Sequence, residues 1–183
     1  MFESPFDSIF FKVLIQRVSF AEVKVQNSSR GKIQKGLFIL LGFGHKLRSS
    51  ELSKIQVQEL LKAFEKVFKK TADKIFFLRV FRDESLKMSK NILNTLGGIY
   101  LVSQFTLFSN CKKGNRPSFT NALPQEFAKP MYDAFVNEMK KKENQSFPIC
   151  TGVFGEDMEI GLSLDGPVTI ELLANSHGFI SGH

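Results

Sequence analysis

GGIYLVSQFTLF (Gly97–Phe108) is the clearest strand in the chain: two glycines, four apolar residues from Ile99 to Val102, then a polar interruption at Ser103, Gln104 and Thr106. GLFILLGF (Gly36–Phe43), a continuous apolar run bounded by glycines, suits a strand buried on both faces, and FKVLIQRVSFAEVKV (Phe11–Val25), rich in β-branched residues, predicts one or two more strands. NSSRGK (27–32) has the composition of a turn. Ser50 and Glu51 supply a helix start, and Leu52, Ile55, Leu60, Leu61, Phe64, Val67 and Phe68 then follow at near-helical spacing to Lys69 and Lys70. KIFFLRVF (74–81) predicts a strand and RDESLKMSKN (82–91) a polar loop. Phe127, Met131, Phe135 and Met139 recur every fourth residue and predict a second helix. Pro130 falls inside that pattern. In a helix interior it costs about 3 kcal/mol, so the helix either kinks there or begins near it. PVTIELL (Pro167–Leu173) is the last predicted strand, and ANSHGFISGH (174–183) is expected to be a loose tail. Strands and helices in mixed order, without regular alternation, define the α+β class. No internal repeat divides the chain, so a single domain over 1–183 is expected.

The bulk properties narrow the function. A chain of 183 residues, 43% hydrophobic and 23% charged, buries a core as one domain. No apolar stretch approaches the roughly 20 residues that span a bilayer. MFESPFDSIFFKVLI carries two acids and no arginine, which predicts neither a secretory signal nor a transit peptide and places the protein in the cytoplasm. Cys111 and Cys150 lack metal-binding or redox spacing and read as reduced thiols; His45, His177 and His183 form no metal pattern. No metal and no cofactor is therefore expected. The net charge of +7 has the sign required by a partner with a phosphate backbone. Among the lysine clusters, NCKKGNRPSF stands out by position. Its Lys112, Lys113 and Arg116 follow directly on the Ser-Gln-Phe-Thr strand.

Four segments occur in an order that resembles the D-aminoacyl-tRNA deacylase family: SQFTL (Ser103–Leu107), GNRPSF (Gly114–Phe119), TGVFGEDM (Thr151–Met158) and DGPVTI (Asp165–Ile170). VLIQRV (Val13–Val18) and LLGF (Leu40–Phe43) are similar to that family's first strands. The resemblance runs from about Phe11 to Leu173, leaving 1–10 and 174–183 as extensions. It implies mostly antiparallel, barrel-like sheets with two or three helices in a homodimer. The implied activity is hydrolysis of the ester joining a D-amino acid to the terminal adenosine of tRNA, with L-aminoacyl-tRNA spared. By the same resemblance, Ser103, Gln104, Phe105 and Thr106 line the catalytic pocket, and Gly166-Pro167, with a cis peptide bond, enters the pocket of the opposite subunit. Arg17 would hold that dipeptide in place, Phe154 and Met158 would receive the terminal adenine, and Lys112, Lys113 and Arg116 would contact acceptor-stem phosphates.

Those residues suit a problem in which handedness must be sensed while side-chain identity is ignored. Two main-chain carbonyls at the dipeptide would grip the substrate's α-ammonium by charge-assisted hydrogen bonds. With the ammonium and the ester carbonyl both fixed, a D side chain points to open space and an L side chain meets the dipeptide. Achiral glycine would pass, so glycyl-tRNA is an expected second substrate. A main-chain N–H of Phe105 or Thr106 would stabilise the oxyanion, because an unactivated Thr106 or Ser103 hydroxyl lacks an adjacent base. Several features depart from the family pattern: Leu164 where asparagine is usual, a long region from His45 to Lys74, SLKM (Ser85–Met88) and Pro130. Two alternatives are a related deacylase for a small L-amino acid on mismatched tRNA and a catalytically silent tRNA-binding homologue.

Overall fold

The computed structural model describes residues 4–143 and 147–180. Ile9–Val25 forms one 17-residue strand, β1, preceded by a 3₁₀ turn over Pro5–Ser8. A two-residue turn at Gln26 and Asn27, with φ of 50° and 63°, folds the chain back into β2 (Ser28–Ile33). Positive φ at both positions matches the twist that a tight hairpin needs. The turn therefore shares only Asn27 with the expected NSSRGK segment, and the rest of that segment is strand. β3 (Gly36–His45) follows, then α1 (Ser49–Leu52) and α2 (Val57–Phe77). The remaining elements are β4 (Phe81–Arg82), β5 (Met88–Lys90), β6 (Gly98–Ser103), α3 (Gln125–Lys140), β7 (Ile149–Thr151), β8 (Glu159–Asn175) and β9 (Gly178–Phe179).

The main sheet runs β7-β6-β3-β1-β8-β9, with β2 paired to the far half of β1. β1 is antiparallel to β2, β3 and β8, whereas β3, β6 and β7 are parallel to one another, so the sheet is mixed. Register shifts between Gln16, Val18 and Phe20 interrupt the regular ladder of β1, and its two halves bury their side chains in different cores. Ile9, Phe11, Val13 and Ile15 pack with α2 and α3, while Val18, Ala21 and Val23 join a second core with Ile33, Phe38, Tyr100 and Val102. β3 consequently has both faces covered, Leu37, Ile39 and Leu41 on the helix side and Phe38 on the other. The curl makes a half-barrel.

Phenylalanines dominate the helix-side core. Phe68 meets Phe11 edge-on at 5.2 Å and Phe135 edge-on at 5.4 Å, locking α2, α3 and β1 to one another. This packing explains a misread element. Lys74–Phe77 was expected to open a strand but completes α2, because Ala72, Ile75 and Phe76 continue the buried stripe begun by Leu60, Phe64 and Phe68. An apolar run of four residues has no period of its own, and the face it must cover decides its form. The expected helix start at Ser50 proves to be the short α1. The chain then leaves the helical path at Ser53–Gln56, where buried Ile55 turns inward, before α2 begins.

Other expectations also change. The polar loop after Phe81 contains the β4–β5 hairpin, tied by the Asp83 carboxylate, which accepts the N–H groups of Ser85 and Lys87 and the Ser89 hydroxyl. α3 starts at Gln125, so Pro130 lies in its interior; the carbonyl it leaves without a helical donor belongs to exposed Glu126. The tail is ordered through Ile180: β9 pairs back on Ala174 and Asn175, and Lys74 lies over the Phe179 ring. Residues 181–183 lie outside the described residues. Among those described, no helix is long and apolar enough to cross a membrane.

Candidate active site

β6 ends at Ser103, although its parallel partner β3 continues to His45. Ser103 pairs with Leu41, the Gln104 N–H donates to the Leu41 carbonyl, and the chain then coils into a 3₁₀ turn over Phe105–Phe108. The strand expected to reach Phe108 therefore stops at Ser103. The cause is distant in sequence. Gly42 and Gly44 of β3 leave a hollow into which the turn settles; a Cβ on Gly42 would stand 2.4 Å from the Gln104 carbonyl oxygen, and one on Gly44 2.1 Å from the Phe108 ring. The N–H groups of Phe105 and Thr106 meet no acceptor among the described residues. The Thr106 hydroxyl accepts a hydrogen bond from the Gln104 amide at 2.5 Å, and no histidine or carboxylate hydrogen-bonds it among the described residues.

Beside this turn opens a cleft of about 560 Å³. Ser103, Gln104 and Phe105 form one wall, and Phe154 and Met158, from the loop between β7 and β8, form another. Tyr132 of α3 backs that second wall. Its ring lies 5.6 Å from Phe154, its hydroxyl donates to the Leu101 carbonyl at 3.1 Å, and burial pushes its phenol far above the ordinary range. Five of the expected site residues thus share one cleft, whereas Thr106 sits on the turn outside its lining. Lys112, Lys113 and Arg116 lie in a fully exposed loop closed by a bridge between Asn110 and Ser118. That loop leaves the cleft after Phe105 and returns to it at Phe119. Glu156, Asp157, Gln125 and Phe119 also line the cleft, and sequence reasoning did not assign them. RPSF pointed to the Phe119 segment, but no signal in the sequence brought the start of α3 there. Among the described residues, no group of three or more His, Cys, Asp or Glu side chains is placed to hold a metal ion.

Arg17 and Gly166-Pro167 form a separate structure. Gln16 of β1 pairs with Thr169 of β8 and Val18 with Leu164, so the four residues Asp165–Val168 loop out opposite Arg17 alone. The Arg17 side chain is 2% exposed and fills the space beneath them. Its Nε donates to the Asp165 carbonyl at 3.0 Å and pairs with the Asp165 carboxylate at 3.2 Å, while Nη1 donates to the Val80 carbonyl. One guanidinium therefore ties β1, the loop-out and the start of β4 together. Gly166 has φ of 136°, and a Cβ there would meet Val168 N at 2.8 Å and Arg17 Nη2 at 3.1 Å. The Gly166–Pro167 peptide bond is cis. Neither residue lines the cleft of its own chain. Ile160 is the one β8 residue that does, and Gly166 lies six positions further along the chain, roughly 20 Å at 3.3 Å per step.

A half-barrel of mixed strands carrying an exposed basic loop beside such a cleft has known counterparts. A solved structure titled "c-Myc DNA Unwinding Element Binding Protein" superposes with a TM-score of 0.70 at 35% identity, over 88% of this chain and 97% of that one. Another, titled as a structural analysis of a probable eukaryotic D-amino acid tRNA deacylase, superposes with a TM-score of 0.69 at 14% identity and shares the fold. The family model described as D-Tyr-tRNA(Tyr) deacylase matches residues 14–173. Curated relatives named D-aminoacyl-tRNA deacylase include those of Nitratiruptor sp. (43% identity, 87% of this chain and 95% of the relative) and Clostridioides difficile (38%, 92% and 99%). The chain belongs to the D-Tyr-tRNA(Tyr) deacylase family, hydrolases acting on an ester bond.

Proposed function

We propose that the chain removes D-amino acids from tRNA in the cytoplasm as a homodimer, and that handedness is sensed by the partner subunit's Gly166-Pro167 entering the cleft. The separation of that dipeptide from its own cleft is the observation that carries the cross-subunit reading. A second copy is the natural source of a corner held so rigidly and left so exposed. Leu162 and Leu164 flank it, 37% and 48% exposed, and supply apolar surface for such a contact. Leu164, which replaces the usual asparagine, fits this role.

In this reading the terminal adenine rests against Phe154 and Met158, which brings the ester beside Ser103–Thr106. The partner subunit's Gly166 and Pro167 offer carbonyl oxygens to the α-ammonium, leaving room for hydrogen but not for a side chain on that side. Water adds to the ester carbonyl, and the oxyanion is met by the free N–H of Phe105 or Thr106. One such donor typically contributes about 10²–10³ in rate. Collapse breaks the bond to the terminal ribose oxygen, which takes up a proton, and releases a D-amino acid and tRNA. Glycyl-tRNA, with hydrogen in both positions, is a second substrate. Lys112, Lys113 and Arg116 hold acceptor-stem phosphates.

Incubating purified protein with D-tyrosyl-tRNA and L-tyrosyl-tRNA tests this function. Release from the D form alone is expected; equal rates, or binding without release from either, would contradict it. Thr106→Ala is expected to lower turnover by less than about tenfold, since the hydroxyl has no base to activate it. Complete inactivation in a single-turnover assay would instead make Thr106 a covalent nucleophile.

A further inference from the structure

Phe105 and Phe119 stand at the mouth of the cleft as an edge-to-face pair, ring centroids 4.9 Å apart at 71°. They are 56% and 37% exposed, unlike the buried phenylalanines of the core. Residues 111–120, which join them, are exposed throughout and carry Lys112, Lys113 and Arg116, none of them ion-paired among the described residues. Solvated aromatic rings beside unneutralised cations make a surface with two kinds of affinity, for the flat face of a base and for a phosphate. Single-stranded nucleic acid presents both at each nucleotide. An aliphatic or acidic partner would use one and waste the other.

We propose that Phe105 and Phe119 form a stacking platform for the base next to the terminal one in the substrate's single-stranded 3′ end. The inference rests on the functional reading above, which seats the terminal adenine on Phe154 and Met158, deeper in the same cleft. The next base then leaves the cleft past the aromatic pair, with its phosphate beside the basic loop. Stacking on a sequence-tolerant π face secures the strand without reading the identity of the tRNA body. It also gives whole tRNA an advantage over a bare aminoacyl-adenosine that has no such base.

The test uses full-length protein and two esters, D-tyrosyl-tRNA and D-tyrosyl-adenosine. Phe119→Ala is expected to reduce the ratio of kcat/KM for the tRNA to that for the adenosine ester about tenfold, the value of one base–aromatic stack. Phe119→Trp is expected to restore the ratio, and tRNA with an abasic penultimate position is expected to show no further loss with Phe119→Ala. Equal losses on both esters would overturn the platform and assign the pair to the amino acid or to the partner subunit. A binding measurement stands apart from activity. Fluorescence of 2-aminopurine at the penultimate position of a short CCA-ended RNA is expected to be quenched by the wild-type protein and not by Phe119→Ala. Identical signals from both proteins would sink the proposal even if the enzyme acts on D-aminoacyl-tRNA. Quenching without turnover would sink the functional reading and spare the platform.

Discussion

Gly166→Ala is expected to lower turnover of D-aminoacyl-tRNA about a hundredfold, the loss typical of displacing a positioning group by about 1 Å. The cause lies inside the subunit. At φ of 136° an L side chain is strained, and the new methyl would stand 2.8 Å from Val168 N and 3.1 Å from Arg17 Nη2. The chain must rotate out of that region or push the guanidinium aside, at about 1–3 kcal/mol. Either adjustment moves the two carbonyls that are to grip the ammonium. A melting temperature lowered by only a few degrees, together with the kinetic loss, is the expected signature. Turnover at the wild-type rate would place the dipeptide outside the site.

Arg17→Met is expected to cost about 2–3 kcal/mol of stability and about 5–10 °C in melting temperature. Methionine keeps much of the volume but abandons two carbonyl acceptors, one of them on buried Val80. The ion-pair share of the loss is smaller, because the Asp165 side chain is 40% exposed and water screens it. Arg17→Lys separates the two roles of the residue. An ammonium keeps the charge but cannot reach Asp165 and Val80 together as a planar fork does, so the fold is expected to survive while turnover falls more than about tenfold. Thermal denaturation and single-turnover kinetics on the same samples check both halves. Arg17→Lys with wild-type turnover would reduce the arginine to a filler of the bulge.

Much of this architecture was legible in local pattern. The glycine-bounded run Gly36–Phe43 announced a strand covered on both faces, and β3 has that character, because its odd-numbered residues meet the helices and Phe38 meets the second core. The Phe127–Met139 spacing likewise gave α3 its buried stripe. What local pattern missed was decided by residues far away in the chain. Lys74–Phe77 is helical because of the face it packs on. Gln104–Phe108 turns because Gly42 and Gly44 make a hollow, although the segment itself reads as strand. The cleft unites β3, the end of β6, the Phe119 segment, the start of α3 and the Phe154–Met158 loop, and no periodicity reports which loops converge. Resemblance supplied Gly166-Pro167 and Arg17 as partners, but the pairing register, four residues of β8 opposite one of β1, gives the physical reason for their association.

The composite nature of the site can be measured by complementation between two inactive variants. Gly166→Ala spoils the corner and leaves the cleft open; Ala122→Trp fills the cleft, which Ala122 lines, and leaves the corner intact. Co-expressed in equal amounts under two tags, the chains form mixed dimers in which one site combines the sound cleft of one subunit with the sound corner of the other. About a quarter of wild-type D-tyrosyl-tRNA hydrolysis is expected from the statistical mixture, since half the dimers are mixed and each has one working site. If the mixed dimers, isolated through both tags, are as inactive as either parent, the corner does not act across the two-fold axis and the account is wrong.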